Sequence, residues 1–203
     1  MSGTIRITQT VEGKSVTIPG VLLVSWPGSL RLELQDPVGS VLALLLVEGD
    51  RFWLYQQNRK ENLTGPIAKL PTGLSLPFVA EDLVRVILAR PDLEKFRLVP
   101  AEGNRAELAK GLEALSWSEG RFQIQEWMKK IPGAPMSRAN YEEYASKSGA
   151  LYPTKLRLTS GVGEKSERSA LVVWVDWEPK VYDKKNFQIP PSRDFGRKTK
   201  ALP

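Results

Sequence analysis

Leu30-Arg31-Leu32-Glu33-Leu34-Gln35-Asp36, the turn Pro37-Val38-Gly39-Ser40, Val41 to Glu48, the turn Gly49-Asp50 and Arg51-Phe52-Trp53-Leu54-Tyr55 form the stretch that decides the fold class. Its first segment alternates with period two, placing three leucines on one face and Arg31, Glu33 and Gln35 on the other. Such a strand has one dry and one wet side. Proline removes a ladder donor and glycine allows the reversal, so each Pro/Gly cluster reads as a turn. Val41 to Glu48 is apolar on both faces. It must be covered on both sides, either as a central strand under helices or with one side facing a cavity that something else fills.

Working outward, Ile5-Arg6-Ile7-Thr8 opens a β-rich segment, Glu12-Gly13-Lys14 turns it, and Ser15 to Trp26 returns until Trp26-Pro27-Gly28-Ser29 stops it. That is a meander of antiparallel strands. Downstream, Leu76-Pro77-Phe78 leads into Val79 to Arg90, with acids in the first turn, a largely helical apolar stripe and Pro91 as the stop; an amphipathic helix is predicted there. A second, weaker helix is expected from Asn104 as N-cap through Leu108, Leu112 and Leu115, although Gly111 in its middle costs about 1 kcal/mol of propensity. Strands are then expected at Arg121 to Met128, Asn140 to Ser146, Leu151 to Thr159 and Arg168 to Glu178, with Gly161-Val162-Gly163-Glu164-Lys165 as a loose hairpin loop.

The expected class is α+β: a single antiparallel sheet of about nine or ten strands with helices inserted on one side. Strand twist makes so long a sheet curve, and an incomplete barrel exposes its inner face unless helices cap it. The expected organisation is one domain over residues 1–191 and a basic, flexible tail over 192–203.

With no cysteine and no histidine in 203 residues, thiol nucleophiles, Ser-His-Asp machinery, Cys/His zinc sites and disulfides are all excluded. The net charge of +6 is concentrated: Lys180 to Pro203 holds seven basic residues against two acidic ones, leaving about +1 for the rest. The longest apolar run, Val41 to Val47, is far below the roughly 20 residues of a membrane-spanning helix.

No phosphate-binding glycine motif is present, and Gly161-Val162-Gly163 reads as a turn. Asp82, Glu142, Glu143 and Asp176 are not spaced to act as a pair across a scissile bond, so no catalytic residue, metal site or cofactor is expected. Trp53, Tyr55, Trp174 and Trp177 suit the packing of a curved sheet better than a nucleic-acid stacking platform, because the basic residues sit mainly in the tail. Leu32, Leu34, Phe52, Leu54, Leu156, Leu158, Val173 and Val175, with Leu83 and Ile87 of the helix, could line a hollow that takes an acyl chain at about 0.8 kcal/mol per buried methylene. The same residues also describe a plain core.

The order of segments resembles the LolA/LolB superfamily of lipoprotein carriers and receptors. The similar pieces are the turn and strand from Trp26 to Leu32, the hairpin Glu48-Gly49-Asp50-Arg51-Phe52-Trp53-Leu54-Tyr55, the helix opening Leu76-Pro77-Phe78, the strand Tyr152-Pro153-Thr154-Lys155-Leu156 and the closing Phe187-Gln188-Ile189-Pro190-Pro191. The resemblance implies an open half-barrel with a helical lid on its concave side, no catalysed reaction, and a cavity shielding acyl chains of lipoproteins or lipids for trafficking to the outer membrane. It further implies a periplasmic location or one on the periplasmic face of the outer membrane of a Gram-negative-type cell, as a monomer.

Two departures stand out. Trp26 occupies the place of the arginine that helps hold the lid of LolA-type carriers, so that role is not transferred. Met1 is followed almost at once by a strand, where many members have a long helix; a removed N-terminal lipid anchor would account for the abrupt start. LolB-type receptors present an exposed apolar residue on a protruding loop, which the tight Gly49-Asp50 turn does not supply. The competing expectation is an interaction or nucleic-acid-binding protein working through the tail of Lys184 to Lys200, although no nucleic-acid partner is expected from the distribution of charge.

Overall fold

Period-two patterning broken by turn residues yields strands β1 (Ser2–Val11), β2 (Lys14–Ser25), β3 (Ser29–Gln35), β4 (Val41–Glu48), β5 (Arg51–Gln56) and β6 (Asn62–Pro66). After them come a helix α1 (Leu83–Ile87) and strands β7 (Arg105–Glu107), β8 (Glu113–Trp117), β9 (Ile124–Lys129), β10 (Met136–Lys147), β11 (Ala150–Val162), β12 (Lys165–Glu178) and β13 (Thr199–Ala201). This is a computed structural model, and it describes residues 1–71, 82–92, 105–107, 113–118, 123–130, 135–162, 165–180, 182–188 and 198–202. Among these, no helix is long and apolar enough to cross a membrane.

The strands hydrogen-bond in the order β13-β6-β5-β4-β3-β2-β1-β12-β11-β10-β9-β8-β7, one sheet of thirteen strands with two free ends rather than a closed ring. The ladders with a defined register are antiparallel except that of β13, which runs parallel to β6. The expected class, α+β on a single open antiparallel sheet, is therefore the observed one. Two long hairpins turn on two residues each: Glu12 and Gly13 at φ 50 and 77, and Ser148 and Gly149 at φ 54 and 76. Positive φ at both central positions matches the right-handed twist of the flanking strands.

The chain forms two compact units. The first comprises Met1–Ile7, Thr17–Leu74 and Trp174–Pro203, and the second Thr8–Val16 and Ser75–Val173. In the first unit, β1 and β12 approach so closely at Gly3 that an added Cβ would stand 1.9 Å from the Asp176 carbonyl oxygen.

Three expectations are corrected. The helix expected from Asn104 to Leu115 is replaced by β7 and β8, which pair with each other, Ala106 beside Leu115. Leu115 is also paired with Trp127 of β9, and this ladder outweighs a helical preference that Gly111 already weakens. The tail expected to be flexible from residue 192 contributes Thr199–Ala201 to the sheet. The count of strands exceeds nine or ten because short β6, β7, β8 and β13 carry little periodicity of their own.

The first helix is shorter than Val79 to Arg90 within the described residues; Val79 and the Leu76-Pro77-Phe78 opening lie outside them. α1 ends in a Schellman motif: Ala89 has φ 51, its N–H donates to Val86 O at 3.1 Å, and Arg90 N–H donates to Arg85 O at 2.8 Å. Pro91 then prevents continuation.

Candidate functional site

In the first unit the strand registers sort the side chains into two faces. Leu22 of β2 stands beside Leu32, Leu32 beside Leu45, and Leu45 beside Leu54, which in turn faces Leu63. Val24, Leu30, Val47 and Phe52 form a parallel row on the same face. All nine are buried, Leu30 and Val24 completely. Burying a leucine contributes about 1.5–3 kcal/mol, so this face is the main apolar investment of the unit.

The opposite face of the same strands is different. Arg31 and Glu33 of β3 lie there, with Arg31 Nη2 donating to Glu33 Oε2 at 3.3 Å and Gln35 Nε2 donating to Glu33 Oε1 at 3.0 Å. Next to them β4 and β5 bury Leu44, Leu46, Trp53 and Tyr55 as a cluster, with Val41 packed against it. A 3-10 helix, Lys184–Phe187, contacts β3 and β4 and buries Phe187. Beside it an open groove of about 460 Å³ is lined by Leu46, Trp53 and Phe187, with Glu48, Arg51 and Gln188 among its polar residues. β4 is thus covered on both sides, as its uninterrupted apolar run demands.

In the second unit Tyr141 of β10 stands beside Leu156, which pairs with Val172; Ala139 stands beside Leu158, which pairs with Ala170. Trp127 and Leu115 extend this row across β9 and β8. All eight side chains are buried. α1 is tied to these strands by two polar contacts. The Tyr141 hydroxyl donates to the Val86 carbonyl at 2.8 Å, and the Lys129 ammonium pairs with the Asp82 carboxylate at the helix start. Trp127 Nε1 donates to Glu113 Oε1 at 3.1 Å, placing a second carboxylate near Lys129. Burial, reinforced by neighbouring Tyr144, raises the Tyr141 pKa well above 10.0, so the hydroxyl keeps its donated proton. Burial likewise raises Tyr144, whose hydroxyl donates to Ile124 O at 2.6 Å.

The other side of β10 and β11 is wet. Arg157 pairs with Glu142 at 2.6 Å, and Lys155 reaches Glu142 at 3.2 Å and Glu143 at 3.1 Å. Partial burial works against the Glu142 carboxylate, but hydrogen bonds from Arg157 and Lys155 outweigh it and lower its pKa. Lys155 is raised, chiefly by hydrogen bonds to Glu143 and Glu142. Of the carboxylates weighed for acid–base work, Asp82, Glu142 and Glu143 are engaged in these ion pairs, and Asp176 is exposed.

Each residue expected to line a hollow can now be placed. Leu32, Leu34, Phe52 and Leu54 share the dry face of the first unit, at 3%, 7%, 2% and 1% exposure. Leu156 and Leu158 share the dry face of the second, and Leu83 and Ile87 are buried on α1 one turn apart. Val173 and Val175 are corrected: Val173 pairs with Lys155, on the side away from Leu156 and Leu158, and Val175 is 53% exposed. In Leu171-Val172-Val173-Trp174-Val175 both parities are apolar, so sequence cannot choose between them; Val172 and Trp174 are the buried set. Sequence reading also missed Trp127 and Tyr141, whose signal is one buried aromatic in each charged strand. It missed Val38 as well, which is 87% exposed on the β3–β4 turn.

No protein-family model matches the chain, and no curated protein matches it. Solved structures do. A LolA superfamily protein from Nitrosomonas europaea superposes with a TM-score of 0.64 at 10% identity, covering 92% of this chain and 89% of that one. A candidate outer membrane lipoprotein-sorting protein domain from Vibrio parahaemolyticus gives 0.65 at 14% identity, covering 92% and 88%. A DUF1329 family protein from Desulfovibrio piger gives 0.66 at 12% identity, with the same coverage of 92% and 88%. At these identities what is shared is the fold, and the chain has the fold of the LolA superfamily protein and of the lipoprotein-sorting domain.

Proposed function

We propose that the protein is a non-catalytic binding protein that shields the acyl chains of lipoproteins or lipids, acting in the periplasm or at the periplasmic face of the outer membrane of a Gram-negative-type cell. The observation that carries this reading is the likeness, over 92% of the chain, to a LolA superfamily protein and to a lipoprotein-sorting domain. The residues assigned to acyl chains are Leu32, Leu34, Phe52 and Leu54 in one unit, and Leu83, Ile87, Leu156 and Leu158 in the other. Each lies on an apolar face that gains about 0.8 kcal/mol per methylene removed from water. Val38 adds a second element. An apolar side chain 87% exposed on the Asp36–Ser40 turn supports contact with a membrane, the feature that LolB-type receptors place on a protruding loop. The tail-based nucleic-acid reading has no observation in its favour.

Mass spectrometry of lipid that co-purifies with the protein is the direct test. Acyl chains are expected in the native chain and are lost in Ile87→Glu and Leu54→Glu while circular dichroism stays native. Unfolding of both variants, with no lipid bound to the native protein, would assign these residues to the core alone and end the proposal. Val38→Glu is expected to keep acyl-chain binding and lose association with anionic vesicles.

A further inference from the structure

The last strand is held differently from every other ladder with a defined register. β13 lies parallel to β6, with Thr199 beside Asn62, Lys200 beside Leu63 and Ala201 beside Thr64. Asn62 N–H donates to Lys198 O at 2.9 Å, and Leu202 N–H donates to Thr64 O at 2.7 Å. The side chains of Thr199, Lys200 and Ala201 are all exposed, so backbone bonds hold the strand. One side chain is fitted: Leu202, half-buried, whose Cβ would stand 3.1 Å from a Cβ built on Gly65. A glycine inside a strand marks a place where another backbone approaches closely, and here the approaching backbone is the C-terminal one.

Without β13, β6 would end the strand order and present a row of unpaired N–H and C=O groups. Such an edge binds extended peptides through main-chain bonds and reads them through side-chain notches. We propose that the β6 edge is a docking site for an extended peptide segment running parallel to it, and that Lys198–Leu202 is its resident occupant in cis. The partner is a protein segment that places a small residue and then an apolar one at the positions of Ala201 and Leu202, the apolar side chain seated at Gly65. The resident is short and anchored by one side chain, so a partner's segment can replace it by exchanging like hydrogen bonds.

The test uses a fluorescein-labelled peptide with the sequence of residues 198–203 and a chain ending at Arg197. Fluorescence anisotropy is expected to show binding to the shortened chain at least about tenfold tighter than to the full chain, whose site is occupied. The same peptide with proline in place of its leucine, which lacks both the donor and the notch side chain, is expected to bind at least about tenfold more weakly. Gly65→Val in the shortened chain is expected to abolish binding. If the shortened chain does not give a native circular dichroism spectrum, the full-length Leu202→Pro variant replaces it, with the same expectations.

Failure of a folded, vacated chain to bind the peptide, or equal binding of the leucine and proline peptides, overturns the proposal. Dimerisation of the full chain, seen by sedimentation and abolished by Leu202→Pro, overturns the assignment to a foreign segment and gives the edge to a second copy.

Discussion

The β4–β5 hairpin of the first unit and the β10–β11 hairpin of the second solve the same problem in opposite ways. In β4, consecutive residues Leu44 and Leu45 are 0% and 1% exposed and point to opposite faces, each covered. In β11, Leu156 and Leu158 are buried, while Arg157 between them pairs with Glu142. A strand dry on both faces carries no information about its register, because either parity can face either side. A strand with one charged face fixes its register, since a one-residue slip of β11 would bury both Lys155 and Arg157. The lesson is that apolar content alone does not say which side of a strand serves a ligand.

The largest expected effects break the comparison at its apolar positions. Leu44→Ala and Leu45→Ala should each lower stability by about 2–5 kcal/mol, as should Leu158→Ala, whereas Arg157→Ala should cost under about 1 kcal/mol. Chemical denaturation measures all four. A small loss for Leu44 with a large one for Leu45 would mean that the second face of β4 is not a core.

The tie between α1 and β10 comes next in size. Tyr141→Phe removes one of the donors to the Val86 carbonyl, which keeps Ala89 N–H, and should cost about 0.5–1.5 kcal/mol. Amide exchange should quicken in residues 83–88 if the bond restrains the helix, and an unchanged exchange pattern would show that it does not.

Alkaline stability sharpens the same contrast. The folded-state pKa of Tyr141 lies above the ordinary 10.0, so the unfolded chain loses that proton first as pH rises. The corresponding stability is complete below pH 10.0 and declines above it, toward the folded-state pKa. Thermal melts of the native chain and Tyr141→Phe should therefore converge as pH rises past 10; parallel curves would refute the assignment.

The smallest effect belongs to the wet face. Glu142 has a lowered folded-state pKa, so its contribution is present above the ordinary 4.5 and is lost as pH falls through the folded value. Because the pair is solvent-screened, Glu142→Gln should cost about 0.5 kcal/mol or less at pH 7 and nothing in acid. A loss of several kcal/mol at neutral pH would show that the ion pairs, not the apolar row, hold β10 to β11.

How much was legible follows from the same physics. The alternation in β3 and β11 marks Leu32, Leu34, Leu156 and Leu158 as one-sided residues, because charges on the intervening positions leave a single arrangement. Alternation cannot place Val173 and Val175, because every residue from Leu171 to Val175 is apolar, and burial selects Val172 and Trp174 instead. The spacing of Leu108, Leu112 and Leu115 fits a helix, and only the ladder with the following strand β9 makes Glu113–Trp117 a strand.

The sequence by itself determined the classes of residue available: a chain without cysteine or histidine, strands separated by Pro/Gly turns, a helix stopped at Pro91, and apolar runs too short to span a bilayer. Tertiary structure alone decided which parity of an all-apolar strand is buried, that Tyr141 and Lys129 hold α1, and that a basic C-terminus returns to pair with β6. Local periodicity is written in neighbours two to four residues apart, whereas pairing and burial depend on contacts between residues tens of positions apart, which no local pattern encodes.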